Sequence, residues 1–166
     1  RQLNDNLAKK TNQLQGIRSL VASSSYTQTL TKLPNIQTDA SEFATFLQGL
    51  PDLPPVPPEL TVTRIDDAIN HARYLRQLLK NLPSMPPPGW PPFLPFPEEL
   101  EELDNMRQTF ISMTEWMENL EDLPDFLRVA GDFDDLRSEM IAYLRGVANT
   151  ASNTKSVLEE IRNAVR

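Results

Sequence analysis

The sequence predicts an all-α protein, a helical bundle of about four main helices and two short ones. Apolar residues recur three and four positions apart over long stretches, which is the spacing of one face of a helix. Only five of the 166 residues are glycine, so tight hairpin turns are scarce. No stretch of useful length alternates between apolar and polar residues as a half-buried strand does.

The first predicted helix runs from the start of the chain to Pro34. Its apolar residues form a heptad-like seam, interrupted at Lys10, that consists of Leu3, Leu7, Leu14, Ile17 and Val21. The serines at 23–25 weaken the pattern, and Leu30 and Leu33 extend it. Pro34 is expected to end the helix, because proline removes a backbone donor and disfavours helical geometry in the residue before it.

A short second helix is predicted between Pro34 and Pro51. Asp39 and Glu42 have the spacing of a capping box, in which Asp39 is the N-cap. Gly49 and Pro51 stop the helix. Its apolar face consists of Phe43, Phe46, Leu47 and Leu50.

Two longer amphipathic helices are predicted next. The third runs from about Thr61 to Leu82, with a wide apolar face made by Ile65, Ala68, Ile69, Ala72, Leu75, Leu79 and Leu82. The fourth begins at Pro97, since proline suits the first helical position and the acidic residues after it complement the helix dipole. Its apolar face consists of Leu103, Met106, Phe110, Met113, Met117 and Leu120.

A short helix over 124–130, stopped by Gly131, precedes a last helix of roughly 33 residues. The last helix has a narrow heptad seam, which favours coiled-coil packing over deep burial. The seam consists of Met140, Leu144, Val147, Ala151, Thr154, Leu158, Ile161 and Val165. Because the first and last helices both carry such seams to the chain ends, we interpret residues 1–166 as one domain excised from a longer coiled-coil protein, with these helices packed antiparallel as a stalk.

Residues 83–97 form a proline-aromatic segment between the third and fourth helices. Proline excludes helix and central strand here, yet the large apolar side chains are unfavourable in water. The segment is either a strap packed on the bundle or a ligand for a partner. Residues 87–90 resemble the proline-proline-glycine-aromatic ligands of GYF domains, and residues 50–54, 53–57 and 82–86 resemble weak EVH1 ligands. The candidate partner-binding residues are Pro87, Pro88, Gly89, Trp90, Phe93 and Phe96.

Composition disfavours several functions. The chain has no cysteine, which excludes disulfides, thiolate metal sites and a cysteine nucleophile. His71 is the only histidine, so neither a metal centre nor a catalytic triad is expected, and we predict no enzyme and no cofactor. The net charge of −7 disfavours nucleic acid, and no apolar run approaches the roughly 20 residues of a membrane span. These features favour an intracellular, cytoplasmic setting.

We therefore predict a non-enzymatic scaffold or protein-interaction module of a larger coiled-coil protein, with protein partners that include a second copy bound through the coiled-coil helices. One alternative is a module that presents its proline-rich segments to a proline-binding domain. Another is a bundle that binds lipid or another apolar ligand. Residues 98–125 hold ten acidic residues against only Arg107. That acidity either complements basic helices within the chain or offers a face to a basic partner.

Overall fold

The computed structural model of the chain describes residues 2–50, 58–119, 122 and 133–165, and within them it contains five α-helices and no β-strand. The helices are α1 (Gln2–Val21), α2 (Ser24–Gly49), α3 (Pro58–Lys80), α4 (Glu98–Asn119) and α5 (Phe133–Ala164). The predicted all-α class is confirmed. The proline tract 51–57, the predicted short helix 124–130 and Gly131 lie outside the described residues.

Helices α2 to α5 form a ring in which each helix packs on the next. Helix α2 contacts α3, α3 contacts α4, α4 contacts α5, and α5 returns to α2 along the most extensive interface. The α2–α3 pair is antiparallel: Lys32 Nζ donates to the carbonyl oxygen of Asn81 at 2.8 Å, whereas Asp39, later in α2, contacts His71, earlier in α3. Helix α5 is also antiparallel to α2, since Tyr26 contacts Leu158 whereas Gln48, later in α2, accepts a hydrogen bond from Arg145, earlier in α5. The arrangement is that of an up-and-down bundle.

The interior of this ring contains the apolar faces that the sequence predicts. Helix α3 buries its predicted face completely, and α4 buries Leu103, Phe110 and Met117. The seam of α5 is more deeply buried than it would be in a two-helix stalk, because α5 contacts α2 and α4 as well as the end of α1. Its fully buried members are Leu144, Val147, Ala151, Thr154 and Leu158.

The prediction that the first helix ends at Pro34 is wrong. The chain breaks instead at Ser23, which has extended backbone angles and caps α2 by accepting a hydrogen bond from the backbone N–H of Tyr26 through its Oγ, at 3.3 Å. Pro34 lies inside α2. Its neighbours Leu33 and Ile36 are fully buried. Burial of two such side chains contributes roughly 3–6 kcal/mol, which offsets the approximately 3 kcal/mol cost of an internal proline.

The predicted short helix is therefore the second half of α2, and Asp39 is not an N-cap. Asp39 lies in the helix interior, 7 % exposed, where its carboxylate contacts His71. The apolar face assigned to this stretch is correct in its centre, since Phe43 and Leu47 are buried. A capping box and a helix interior share the same spacing of acidic residues, so the local pattern could not separate them.

We expect Pro34→Ala to stabilise the protein, because alanine restores a backbone donor within α2 and removes the clash of the proline ring with the preceding turn. The gain should be about 1–3 kcal/mol in the free energy of unfolding, measured by urea titration. Asn35→Ala, on the exposed side of the same helix, is the control and should change that free energy by less than about 0.5 kcal/mol. An unchanged or lower stability in Pro34→Ala would contradict this account.

A second prediction concerns alkaline pH. Burial raises the pKa of the Tyr26 hydroxyl above its usual value of 10.0, and the hydroxyl donates to the carbonyl oxygen of Leu158. The resulting stability is present below pH 10 and is lost as pH rises further, because the unfolded chain then ionises while the folded chain does not. Tyr26→Phe should be less stable than wild type at pH 7 by about 0.5–1.5 kcal/mol. That difference should shrink above pH 10 in denaturant titrations, and a constant difference would refute the assignment.

Candidate interaction surface

Helix α1 presents most of its predicted seam to solvent. Leu3 is 71 % exposed, Leu7 is 56 % exposed and Leu14 is 37 % exposed. The bundle holds only the last turns of α1, where Leu20 is buried and Arg18 Nε donates to the carbonyl oxygen of Val165 at 3.3 Å. The end of helix α1 therefore meets the C-terminal end of α5, and the contact between the first and last helices is small.

The segment between α3 and α4 is attached to the bundle through a buried guanidinium. Arg107 of α4 is 9 % exposed, and its Nη1 donates to the carbonyl oxygens of Leu82 and Pro83, both at 3.2 Å. Its Nη2 donates to Asp104 one turn earlier on the same helix. The charge is thus paired and hydrogen-bonded, which a buried cation requires. Arg107 fixes the point at which the chain leaves α3.

A tight turn over residues 87–90 sets the path of the proline-aromatic segment. The backbone N–H of Trp90 donates to the carbonyl oxygen of Pro87 at 3.2 Å, and Gly89 has φ of 88°. Proline in the second position and a glycine with positive φ in the third are the residues that a type II turn favours. Pro87 is buried, whereas Pro88 and Gly89 are exposed at the tip. The motif that resembles a GYF ligand is therefore also a turn with its own local cause.

The aromatic residues of this segment pack on each other and on the bundle. The indole Nε1 of Trp90 donates to the carbonyl oxygen of Leu94 at 3.0 Å, and its ring meets Phe96 edge to face with centroids 5.7 Å apart. Trp90, Leu94 and Phe96 are partly buried against the core. Phe93 is 42 % exposed and lies beside α1, since a Cβ on Gly16 would be 3.6 Å from Phe93 Cε1.

The six candidate residues thus fall into two groups. Trp90 and Phe96 form one packed cluster, together with the buried Pro87 that starts the turn. The other three, which face solvent at least in part, are Pro88, Gly89 and Phe93. Their role in binding a partner stays a prediction.

The sequence did not predict a polar-aromatic cluster between α2 and α3. His71 Nε2 lies 3.0 Å from Asp39 Oδ1, and the ring of Phe43 stacks on the imidazole with centroids 4.5 Å apart and planes 11° apart. Asp39 and Phe43 are four residues apart, so one face of α2 presents both to the histidine. The sequence signal for this cluster is the four-residue spacing of Asp39 and Phe43, together with a single histidine on a neighbouring predicted helix. Within the described part of the chain, no three His, Cys, Asp or Glu side chains form a group that could hold a metal ion.

At one end of α4 an acidic residue is paired with arginines, and at the other end the acidic residues face solvent. Glu118 accepts hydrogen bonds from Arg76 and from Arg73 Nε, the latter at 3.2 Å. The Arg76 guanidinium in particular lowers the pKa of the Glu118 carboxyl below its usual range. At the other end of the helix, Glu98, Glu101 and Glu102 line an open groove. Part of the predicted acidity is therefore balanced within the chain, and part of it faces solvent.

We expect Arg107→Met to destabilise the protein by about 2–4 kcal/mol, because two backbone carbonyls and Asp104 lose their buried partner. Arg107→Lys should recover part of this loss, since lysine keeps the charge but cannot reproduce the forked geometry. The matched control is Arg145→Met, at an exposed position of α5, which should change stability by less than about 0.5 kcal/mol. Thermal unfolding measures all three, and equal effects of Arg107→Met and Arg145→Met would contradict the assignment.

The surface of this protein thus offers an exposed leucine seam, a packed aromatic segment with an exposed turn, and an acidic groove. None of the helices in the described ranges is long and apolar enough to cross a bilayer. Comparison with known proteins finds no match for the chain among protein-family models, curated proteins or solved structures.

Proposed function

We propose that this chain is a non-enzymatic protein-interaction module that docks on protein partners through the exposed seam of α1, as part of an intracellular coiled-coil protein. One observation carries the proposal: Leu3, Leu7 and Leu14 are exposed on one side of a helix that the bundle holds only at its end. Burial of a leucine side chain contributes roughly 1.5–3 kcal/mol. A row of leucines at heptad spacing is the usual recognition element of one helix for another.

The environment of His71 supports the non-enzymatic part of the proposal. A general base needs an imidazole that can reach a substrate and exchange a proton with it. Here Asp39 occupies Nε2 and Phe43 covers one ring face. The histidine thus serves to join α2 to α3, which is a structural role.

The proline-aromatic segment fits a structural strap better than a free ligand. A proline-binding domain would need the aromatic residue beside the turn, but Trp90 is engaged with Leu94 and Phe96. Binding in that mode would have to break those contacts first. Presentation of the exposed Pro88–Gly89 tip is the second candidate function, favoured by the solvent exposure of that turn.

Site-specific photo-cross-linking tests docking through α1. A photoreactive amino acid replaces Leu3, Leu7 or Leu14 of the seam, or Pro88 of the turn, in turn, in cells that naturally express the protein. In the matched controls, the photoreactive amino acid replaces Asp5 or Asn12, which lie on the other side of α1. We expect cross-linked protein at the seam positions and little at the controls. Cross-links restricted to Pro88 would favour the proline-presenting function, and equal or absent products at seam and control positions would rule out docking through α1.

A further inference from the structure

We propose that the partner of α1 is α1 of a second copy of this chain, bound antiparallel with residues 3–14 of the two helices paired. The inference rests on the proposed function, because it names the partner of the same seam. The heptad phase is unambiguous: Leu3 and Lys10 occupy d positions, and Leu7 and Leu14 occupy a positions. All four are exposed.

A single antiparallel register satisfies these four positions together. In an antiparallel pair, a positions of one helix share layers with d positions of the other. The register in which paired residue numbers sum to 17 places Leu3 against Leu14 of the second copy and Leu7 against Lys10 of the second copy. Symmetry repeats both layers, so the contact is isologous, as a two-fold dimer requires.

Lys10 decides the orientation. In a parallel dimer the two Lys10 ammonium groups would meet in one core layer, which is unfavourable for like charges. In the antiparallel register each lysine instead lies beside a leucine, which its methylene stem can cover while the ammonium group reaches solvent. The side chains flanking the seam add no like charges, because they are Asn4, Asn6, Thr11 and Gln13.

The seam of α1 is open to a second copy between Leu3 and Leu14. All four seam residues of that stretch are exposed, whereas Phe93 approaches the helix at Gly16 and Arg18 contacts Val165 after α5. Residues 3–14 pair only with each other in the proposed register, over about 18 Å of helix.

A second copy of α1 matches the leucine seam better than the exposed start of α4 does. The start of α4 is acidic and would attract Lys9 and Lys10, but its exposed side consists of Glu98, Glu101, Glu102 and Asn105. It offers no apolar residue to the leucines. A contact of three leucines per chain is nevertheless smaller than the roughly 1,200 Å² of a standard interface, so the dimer should be weak, with a Kd on the order of 10–100 μM.

Disulfide trapping with the purified full chain tests the register. The chain has no cysteine, so single cysteines report without background. Leu7→Cys and Lys10→Cys proteins are mixed and oxidised, and the mixed disulfide should form because the two positions share a layer and lie within disulfide reach. A parallel dimer would instead give a Lys10→Cys homodimer from that protein alone. Asn12→Cys, at an outward position, is the control and should remain monomeric.

Analytical ultracentrifugation completes the test. Wild type should dimerise reversibly, Leu7→Asn should weaken dimerisation at least about tenfold, and Lys10→Leu should strengthen it by a similar factor. Thermal unfolding should change little in either variant, since Leu7 and Lys10 are both exposed. A wild type that stays monomeric up to about 1 mM, or a dominant Lys10→Cys homodimer, overturns the inference. If the chain is monomeric while the seam cross-links to a protein of another mass in cells, docking through α1 stands and the second copy is rejected.

Discussion

The fold depends on the burial of α2 along most of its length between α5 and α3. Tyr26 near its start, Leu33 in its middle and Leu47 near its end are all withdrawn from water. This continuous burial keeps Pro34 inside a helix that local propensity would end. It also places Asp39 against His71, where a carboxylate in a separate short helix would have faced solvent. Helices α3 and α5 both pack antiparallel to α2, and α4 fills the remaining side of the ring between them.

The connection between α3 and α4 lies at the end of the bundle where α2 begins and α5 ends. Arg107 holds the departing chain through two backbone carbonyls, and the turn at Gly89 reverses its direction. The indole of Trp90 then closes the loop on Leu94. Prolines supply no backbone donors, so the segment is held by side chains and by fixed dihedral angles rather than by a hydrogen-bond ladder. Its outer residue, Phe93, lies against α1 at Gly16.

Most of helix α1 lies outside the buried interior of the bundle. The bundle buries the apolar faces of α2 to α5 internally and leaves Leu3, Leu7 and Leu14 of α1 exposed, although their spacing in the sequence resembles that of the buried seam of α5. The two heptad seams at the chain ends therefore have different roles. The seam of α5 supplies the core, whereas most of the seam of α1 is exposed. In the antiparallel pairing that we propose, Lys10 would limit the affinity of the contact and select its orientation.

The sequence alone determined the helical class and the apolar faces of α3 and α4, because these depend on periodicity, and it excluded helix from the proline-aromatic segment, because proline fixes the backbone there. Only the tertiary structure decided that α2 continues through Pro34, that Asp39 pairs with His71, and that Arg107 holds the segment after α3. Each of these results from burial against distant residues, whose free energy outweighs local propensity. The exposure of Leu3, Leu7 and Leu14 was undecided for the same reason: a heptad seam predicts that a helix will be covered, but only packing identifies what covers it.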